Sequence, residues 1–209
     1  MRYAPAIVCF LLFLLLAAAM AAGATAGFDA AVRWAIHQFA SPALTTLAQS
    51  FSLIGSNEYW VAIAATAIIA FWAAGWRKQA LVLAGTMAGA ALLENGLKFA
   101  FHRARPEVFF GVAPETYSFP SGHALFAACL YGALALIISK IVKRRIVCLL
   151  AWAAALLFMV CIGWSRIYLG VHYPTDVLAS YLAGGAWLLA LKASGAFLPL
   201  HETNSPSRR

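Results

Sequence analysis

Charge is what this 209-residue chain has least of: Asp, Glu, Lys and Arg make up 11% of it, and only seven residues are acidic. A soluble domain carries about a quarter charged residues. That shortfall, with 64% hydrophobic content, excludes a water-exposed globular fold. Cysteine is scarce too. Cys9, Cys129, Cys148 and Cys161 all fall in apolar runs and form no CxxC pair. They fit neither a disulfide scaffold nor a thiolate metal site, and are expected to be small buried hydrophobes. There is no HExxH, no DxD and no cluster of carboxylates. His102, His123 and His172 alone offer too little for a metal site, so no metal or other cofactor is expected. No basic run interleaved with aromatics marks a nucleic-acid surface, no internal repeat divides the chain, and nothing calls for an obligate protein partner.

What is present is a set of long uncharged stretches: 3–28, 59–76, 79–93, 124–139, 146–165 and 177–191. A helix needs roughly 20 apolar residues to cross the hydrocarbon core, and terminal lysines extend several of these runs by snorkelling. The expectation is an all-α, polytopic membrane protein with six transmembrane helices, one domain over 1–200 and a disordered cytoplasmic tail over 201–209. Ala24-Thr25-Ala26 fits a signal-peptide cleavage site. The run before it is longer than the roughly 7–15 residues of a signal core, so helix 1 is expected to stay uncleaved.

Lys and Arg set the expected orientation. With both termini in the cytoplasm, the inner segments hold Arg2, Arg77, Lys78, Lys140, Lys143, Arg144, Arg145, Lys192, Arg208 and Arg209, ten of the fifteen basic residues. The net charge of +8 then anchors the inner face to anionic lipid.

Helix 1 is expected over 4–24, helix 2 over 59–76, helix 3 over 79–101, helix 4 from Gly122 to Ile141, helix 5 over 146–165 and helix 6 from Pro174 to 195. Between helices 1 and 2, Phe28, Val32, Ala35, Ile36 and Phe39 recur at helical spacing. Pro42 interrupts them, and Leu44, Leu47, Phe51 and Leu53 resume the pattern. This predicts one or two amphipathic helices in the outer interface, covering the bundle or shaping a lipid entrance.

Three polar stretches map to the outer ends of helices 3 to 6. The first runs from Lys98 to Arg105-Pro106 and sets two cations at one membrane boundary. In the second, Pro120-Ser121-Gly122-His123, a helix start aims free N–H groups and a positive dipole end outward, an arrangement that binds an oxyanion. Gly122 lets the anion approach the backbone, Ser121 adds a donor, and His123 stands where it can transfer a proton. The third runs from Ser165-Arg166 through His172 to Asp176. Asp176, four residues after His172, can hold one imidazole nitrogen and leave the other as a nucleophile, while Arg166 supplies a third cation that grips phosphate in two parallel bonds. Three cations, two histidines, a carboxylate and a helix N-terminus on one face describe a phosphoryl-transfer site.

In order and spacing these stretches match K-x6-R-P, P-S-G-H and S-R-x5-H-x3-D, and the chain resembles the type 2 phosphatidic acid phosphatase superfamily, which includes lipid phosphate phosphatases, bacterial acid phosphatases and vanadium haloperoxidases. The resemblance implies His172 as the nucleophile that forms a phosphohistidine, Asp176 as its partner, and His123 as general acid and then base. It implies phosphate binding by Lys98, Arg105, Arg166, Ser121 and Gly122. It also implies a membrane lipid phosphate as substrate: phosphatidylglycerophosphate, phosphatidate or undecaprenyl diphosphate. A lipid-A-type phosphatase or phosphotransferase using the same residues, and a noncatalytic lipid-binding or transport protein, are the alternatives.

Some residues lie outside the signatures. Glu94, an acid within an apolar run, is four residues before Lys98 and is expected to pair with it and hold it in place, with Pro120 as a further support. Arg103 is expected at the substrate edge or against lipid, and His102 in the solvated interface. Tyr117, Phe119, Trp164, Tyr168 and Tyr173 are candidates to line a lipid entrance.

Overall fold

The fold is that of a computed structural model, which describes residues 1–110 and 114–197. It consists of α1 (Ala4–Ala21), α2 (Ala26–His37), α3 (Pro42–Ile54), α4 (Asn57–Ala73), α5 (Arg77–Phe101), α6 (Gly122–Ile141), α7 (Arg145–Tyr168) and α8 (Pro174–Ala193), with no strand among the described residues. The helix starts follow local chemistry. Pro42 opens α3 behind Ser41, whose hydroxyl accepts from the Leu44 N–H at 3.3 Å, and Pro174 opens α8. In both, proline stands where a helix needs no N–H partner. Between α4 and α5 the chain reverses at Gly75, with φ at +81°. Arg77 and Lys78, expected to lie between helices 2 and 3, are instead the first residues of α5.

α6 is the buried centre and packs on α4, α5, α7 and α8, while α1 lies along α8. Leu125, Leu130 and Ile137 of α6 are buried against Leu83 of α5 and Ala179 of α8. Leu15, Leu92, Leu150, Leu157 and Val160 face outward and are more than half exposed. In water such a surface drives association; in a bilayer it is the lipid-facing side. Cohesion between helices then rests on van der Waals packing and occasional polar ties. One such tie is the Trp187 indole N–H, which donates to the Thr86 carbonyl at 3.1 Å and joins α8 to α5.

Of the six predicted spans, α1, α5, α6 and α7 have the length and apolarity to cross a membrane. The 17-residue α4 reaches that standard only together with α3, from which it is bent by 51°, and α8 falls short of it. The amphipathic segment predicted over 27–57 is two helices, α2 and α3. Phe28 and Trp34 of α2, Phe39 just after it, and Leu47 and Leu53 of α3 point away from the protein. The predicted tail over 201–209, and the last three residues of the predicted domain, lie outside the described residues.

Candidate active site

The end of α5, residues 102–110 and 114–120 of the connection after it, the start of α6, the end of α7 and the start of α8 meet at one end of the bundle. His172, in the connection between α7 and α8, is 2% exposed. Its Nε2 lies 3.1 Å from Arg105 Nη1. A guanidinium can only donate, so Nε2 accepts and carries the lone pair. The proton is on Nδ1, which faces Asp176 Oδ2 at 3.4 Å and the Ser118 hydroxyl at 3.5 Å. Burial pushes the imidazole down to about 4 from its ordinary 6.5; Asp176 opposes that shift, and Arg166 and Arg105 add to it. His172 is therefore neutral near pH 7, with its lone pair on the nitrogen that accepts from Arg105.

Asp176 is fully buried, and its shortest bonds are not to His172. Oδ2 accepts from Ser118 Oγ at 2.5 Å and from the Tyr173 N–H at 2.8 Å, and Oδ1 accepts from Arg103 Nη1 at 2.5 Å. Arg103 Nη2 donates in turn to Asp29 Oδ2 at 2.8 Å, and its guanidinium lies over the Tyr173 ring at 3.9 Å. Asp29 is 1% exposed and caps α8 from another helix: Oδ1 accepts the Thr175 N–H at 3.0 Å and Oδ2 the Thr175 hydroxyl at 2.8 Å. Two carboxylates thus share the positive end of α8 and one guanidinium. The expectation that Arg103 meets substrate or lipid is corrected, because its charge is turned inward and consumed by two aspartates.

Among the phosphate-binding candidates, Arg105 also donates to the Val171 carbonyl at 2.8 Å and to the Thr116 carbonyl at 2.7 Å, which fixes its plane beside His172. Arg166 is 6% exposed and donates through Nη1 to the Ser52 hydroxyl of α3, while its Nε is buried without a partner among the described residues. Ser121, the N-cap residue of α6, likewise leaves its buried hydroxyl without a partner there. Unpaired buried donors are costly unless a ligand takes them. His123 and Arg166 line one cleft, Arg105 bonds His172, and Glu94, the partner of Lys98, packs on Gly122 next to His123.

Lys98 Nζ donates to Glu94 Oε1 at 2.7 Å, and both side chains are largely buried. The Glu94 carboxylate also presses on Gly122, where a Cβ would collide with Oε1. Gly122 was expected to make room for an anion; what packs on it here is Glu94, so α5 and the start of α6 interlock at that point. Pro120 is buried just before it, after a cis peptide bond. Replacing Glu94 with Gln keeps the shape and a hydrogen bond to Lys98, whereas Ala removes both. Activity on a lipid phosphate is expected to survive better in Glu94→Gln than in Glu94→Ala, and equal wild-type rates in both would show that Glu94 does not hold Lys98.

Of the aromatic residues predicted to line a lipid entrance, Phe119 and Tyr168 do not: they are 0% and 1% exposed. Phe119 packs on Phe13 and Phe101, and Tyr168 against Trp164 and Phe110. Tyr117 is exposed, as is His102, which ends α5 in the left-handed region at φ 44°. Sequence reasoning missed Asp29, Ser52, Ser118 and Thr175. The available signal was an aspartate at the start of an amphipathic helix, Asp29, together with the paired arginines of His-Arg-Ala-Arg-Pro.

Comparison with known proteins bears on this geometry. The chain is 31% identical over 182 residues to phosphatidylglycerophosphatase B of Bacillus subtilis strain 168, covering 84% of this chain and 87% of that one. It is 29% identical to an undecaprenyl-diphosphatase of Sulfolobus acidocaldarius, over 66% of this chain and 63% of that one. The crystal structure of a transmembrane PAP2-type phosphatidylglycerolphosphate phosphatase from Bacillus subtilis superposes with a TM-score of 0.81 at 28% identity, over 98% of this chain and 99% of that one. The family model for the PAP2 superfamily matches residues 79–197, the segment that carries every signature residue from Lys98 to Asp176, and the chain belongs to that superfamily.

Proposed function

We propose that this membrane phosphatase hydrolyses a lipid phosphate by way of a phosphohistidine on His172, with the site at the outer face of the membrane and both termini in the cytoplasm. The observation that carries the reading is the bond from Arg105 Nη1 to His172 Nε2, which leaves the nucleophilic lone pair facing the phosphate-binding cations. Lys98, Arg105, Arg166, Ser121 and the first N–H groups of α6 hold the phosphate. As substrate enters, Arg105 turns its donor from Nε2 to a phosphate oxygen. Nε2 then attacks phosphorus, the bond from phosphorus to the leaving oxygen breaks, and His123 gives that oxygen its proton. The Nδ1 proton stays toward Asp176 and Ser118. Water next attacks phosphorus, His123 takes the water's proton, the bond from phosphorus to Nε2 breaks, and inorganic phosphate leaves. The cations act here as a preorganised charge clamp.

Phosphate release from phosphatidylglycerophosphate, phosphatidate and undecaprenyl diphosphate, measured in detergent with EDTA, tests this. Release that survives EDTA is expected with at least one of them, and none from any would overturn the reading. The outward site rests on the excess of Lys and Arg at the opposite ends of the helices. A cysteine replacing Glu115 is expected to be labelled by a membrane-impermeant maleimide in intact cells, and labelling only after lysis would reverse the orientation.

The pH profile has a definite sign. His172 is the nucleophile only when neutral, and burial holds it down to about 4. Lowering the pH from 8 to 5 therefore leaves it competent, and kcat/KM is expected to fall on the acid side only as the pH approaches 4. A rate that drops as acid is added through pH 6.5 would contradict a buried neutral His172.

A further inference from the structure

The connection that leads into α6 sets a serine between His172 and Asp176. Ser118 is 0% exposed, and its N–H donates to the Arg103 carbonyl at 2.8 Å. Phe119, which follows it, is packed on Phe13 and Phe101. The hydroxyl is thus held in place, 2.5 Å from Asp176 Oδ2 and 3.5 Å from His172 Nδ1.

These groups do not share Oδ2 evenly. The Ser118 hydroxyl and the Tyr173 N–H hold it at 2.5 and 2.8 Å, while Nδ1 stands 3.4 Å away. An ordinary N–H···O bond spans roughly 2.7–3.2 Å. Serine has one hydroxyl proton, and here it goes to the carboxylate that Arg103 also grips. His172 therefore meets Asp176 across a gap, with the oxygen nearest it already taken. That gap matters for a nucleophile. A close bond from Nδ1–H to Oδ2 would favour the imidazolium in the free enzyme, and an imidazolium has no lone pair to attack with. Held off from the carboxylate, the ring stays neutral. Once Nε2 bonds phosphorus the ring becomes positive, and its attraction to Asp176 is then strongest, where it aids the reaction.

Resting on the reaction proposed above, we propose that Ser118 is a positioning residue that occupies Asp176 Oδ2 and thereby keeps His172 a neutral nucleophile in acid. The charged groups that face His172 are Asp176 of α8, Arg166 of α7 and Arg105. Arg103 and Asp29 stand behind Asp176, and the Lys98–Glu94 pair of α5 is closed on itself. His123 of α6 lines the cleft that Arg166 and Val171 also line. A substitution at Ser118 removes none of these charges, so a change in the protonation of the ring reports on the bond that the serine makes.

The test follows the protonation of His172 directly, by nitrogen-15 NMR of the full chain labelled at histidine, in detergent. The resonance is assigned by its absence from His172→Gln, and a melting curve checks each variant. In the wild type the ring is expected to stay neutral down to about pH 5. Ser118→Ala leaves Oδ2 free to accept from Nδ1–H, and its ring is expected to take up the proton about one pH unit or more higher, the scale of a hydrogen bond to a charged group. Ser118→Cys, which keeps the shape but donates weakly, is expected to move in the same direction. A titration that is unmoved, or moves to lower pH, in the folded variants overturns the proposal. So does a wild-type ring that titrates at its ordinary 6.5, whether or not the variants fold. The rate on p-nitrophenyl phosphate separates this from the underlying reaction. The ratio of kcat/KM in Ser118→Ala to that in the wild type is expected to fall by about several-fold between pH 7 and pH 4, as the variant loses its neutral ring first. A flat ratio beside a shifted titration leaves the hold of Ser118 on the ring intact and overturns the phosphohistidine reaction instead.

Discussion

Replacing His172 with alanine is expected to lower phosphate release from a lipid phosphate by about 10⁴-fold or more, the scale on which a nucleophile acting as part of a unit is lost. The geometry supplies no substitute. Ser118 is committed to Asp176, and His123 sits on the leaving-group side in the proposed reaction. The direct readout is the intermediate. With p-nitrophenyl phosphate, whose leaving group departs without a proton, His123→Ala should still form the phosphohistidine but hydrolyse it slowly. An acid-labile, base-stable phosphoenzyme should therefore accumulate in His123→Ala and be absent from His172→Ala. Wild-type release by His172→Ala, or phosphate found on another residue, would remove His172 from the role of nucleophile.

Arg103 carries the second large effect. Its guanidinium is the shared counterion of Asp29 and Asp176, both at most 2% exposed. Removing one partner from a buried charge cluster leaves the others uncompensated, at a cost of about 3–5 kcal/mol. Arg103→Ala leaves two carboxylates together at the start of α8, so a much lower melting temperature in detergent is expected. Asp29→Asn combined with Arg103→Gln should recover part of it, because one buried anion goes with the cation. Activity distinguishes a positioning residue from a substrate contact. Arg103→Gln is expected to reduce kcat with little change in KM, because Arg103 meets Asp176 rather than phosphate, and Arg103→Lys should restore only part of the loss, since an ammonium cannot span both carboxylates as a fork. A raised KM with kcat intact would return Arg103 to the substrate edge.

The helices were legible because their signal is local. Uncharged runs reveal α1, α5, α6 and α7, whose expected bounds fall within three residues of those observed, and Pro42 and Pro174 mark their own helix starts. The spans α4 and α8 were less so, since one is short and the other carries polar residues that serve the site, Thr175, Asp176 and Ser180 among them. Motif spacing brought out the residues gathered around His123. It could not disclose Asp29, which meets Thr175 across 146 positions, or Ser52, which meets Arg166 across 114. Such pairings are set by how α2 and α3 fold back over the bundle, and no period in the sequence encodes that return. Arg103 was misjudged for the same reason, its partners being remote in the chain. The aromatic residues failed differently: belts of Tyr, Phe and Trp occur at any membrane boundary, and composition cannot tell Phe119, which fills the core, from Tyr117, which leaves it.

α2 and α3 present Trp34 and Leu53 outward while Asp29 and Ser52 reach inward to the charges of the site. On the outer-face orientation proposed above, these helices lie in the lipid headgroup layer and strap the proposed site to it. Whatever loosens that layer, such as a short-chain detergent, loss of annular lipid or a change in lateral pressure, pulls on the two straps before it disturbs the buried helices. The protein should then lose turnover while its circular dichroism stays that of the folded bundle, and regain it on return to a bilayer.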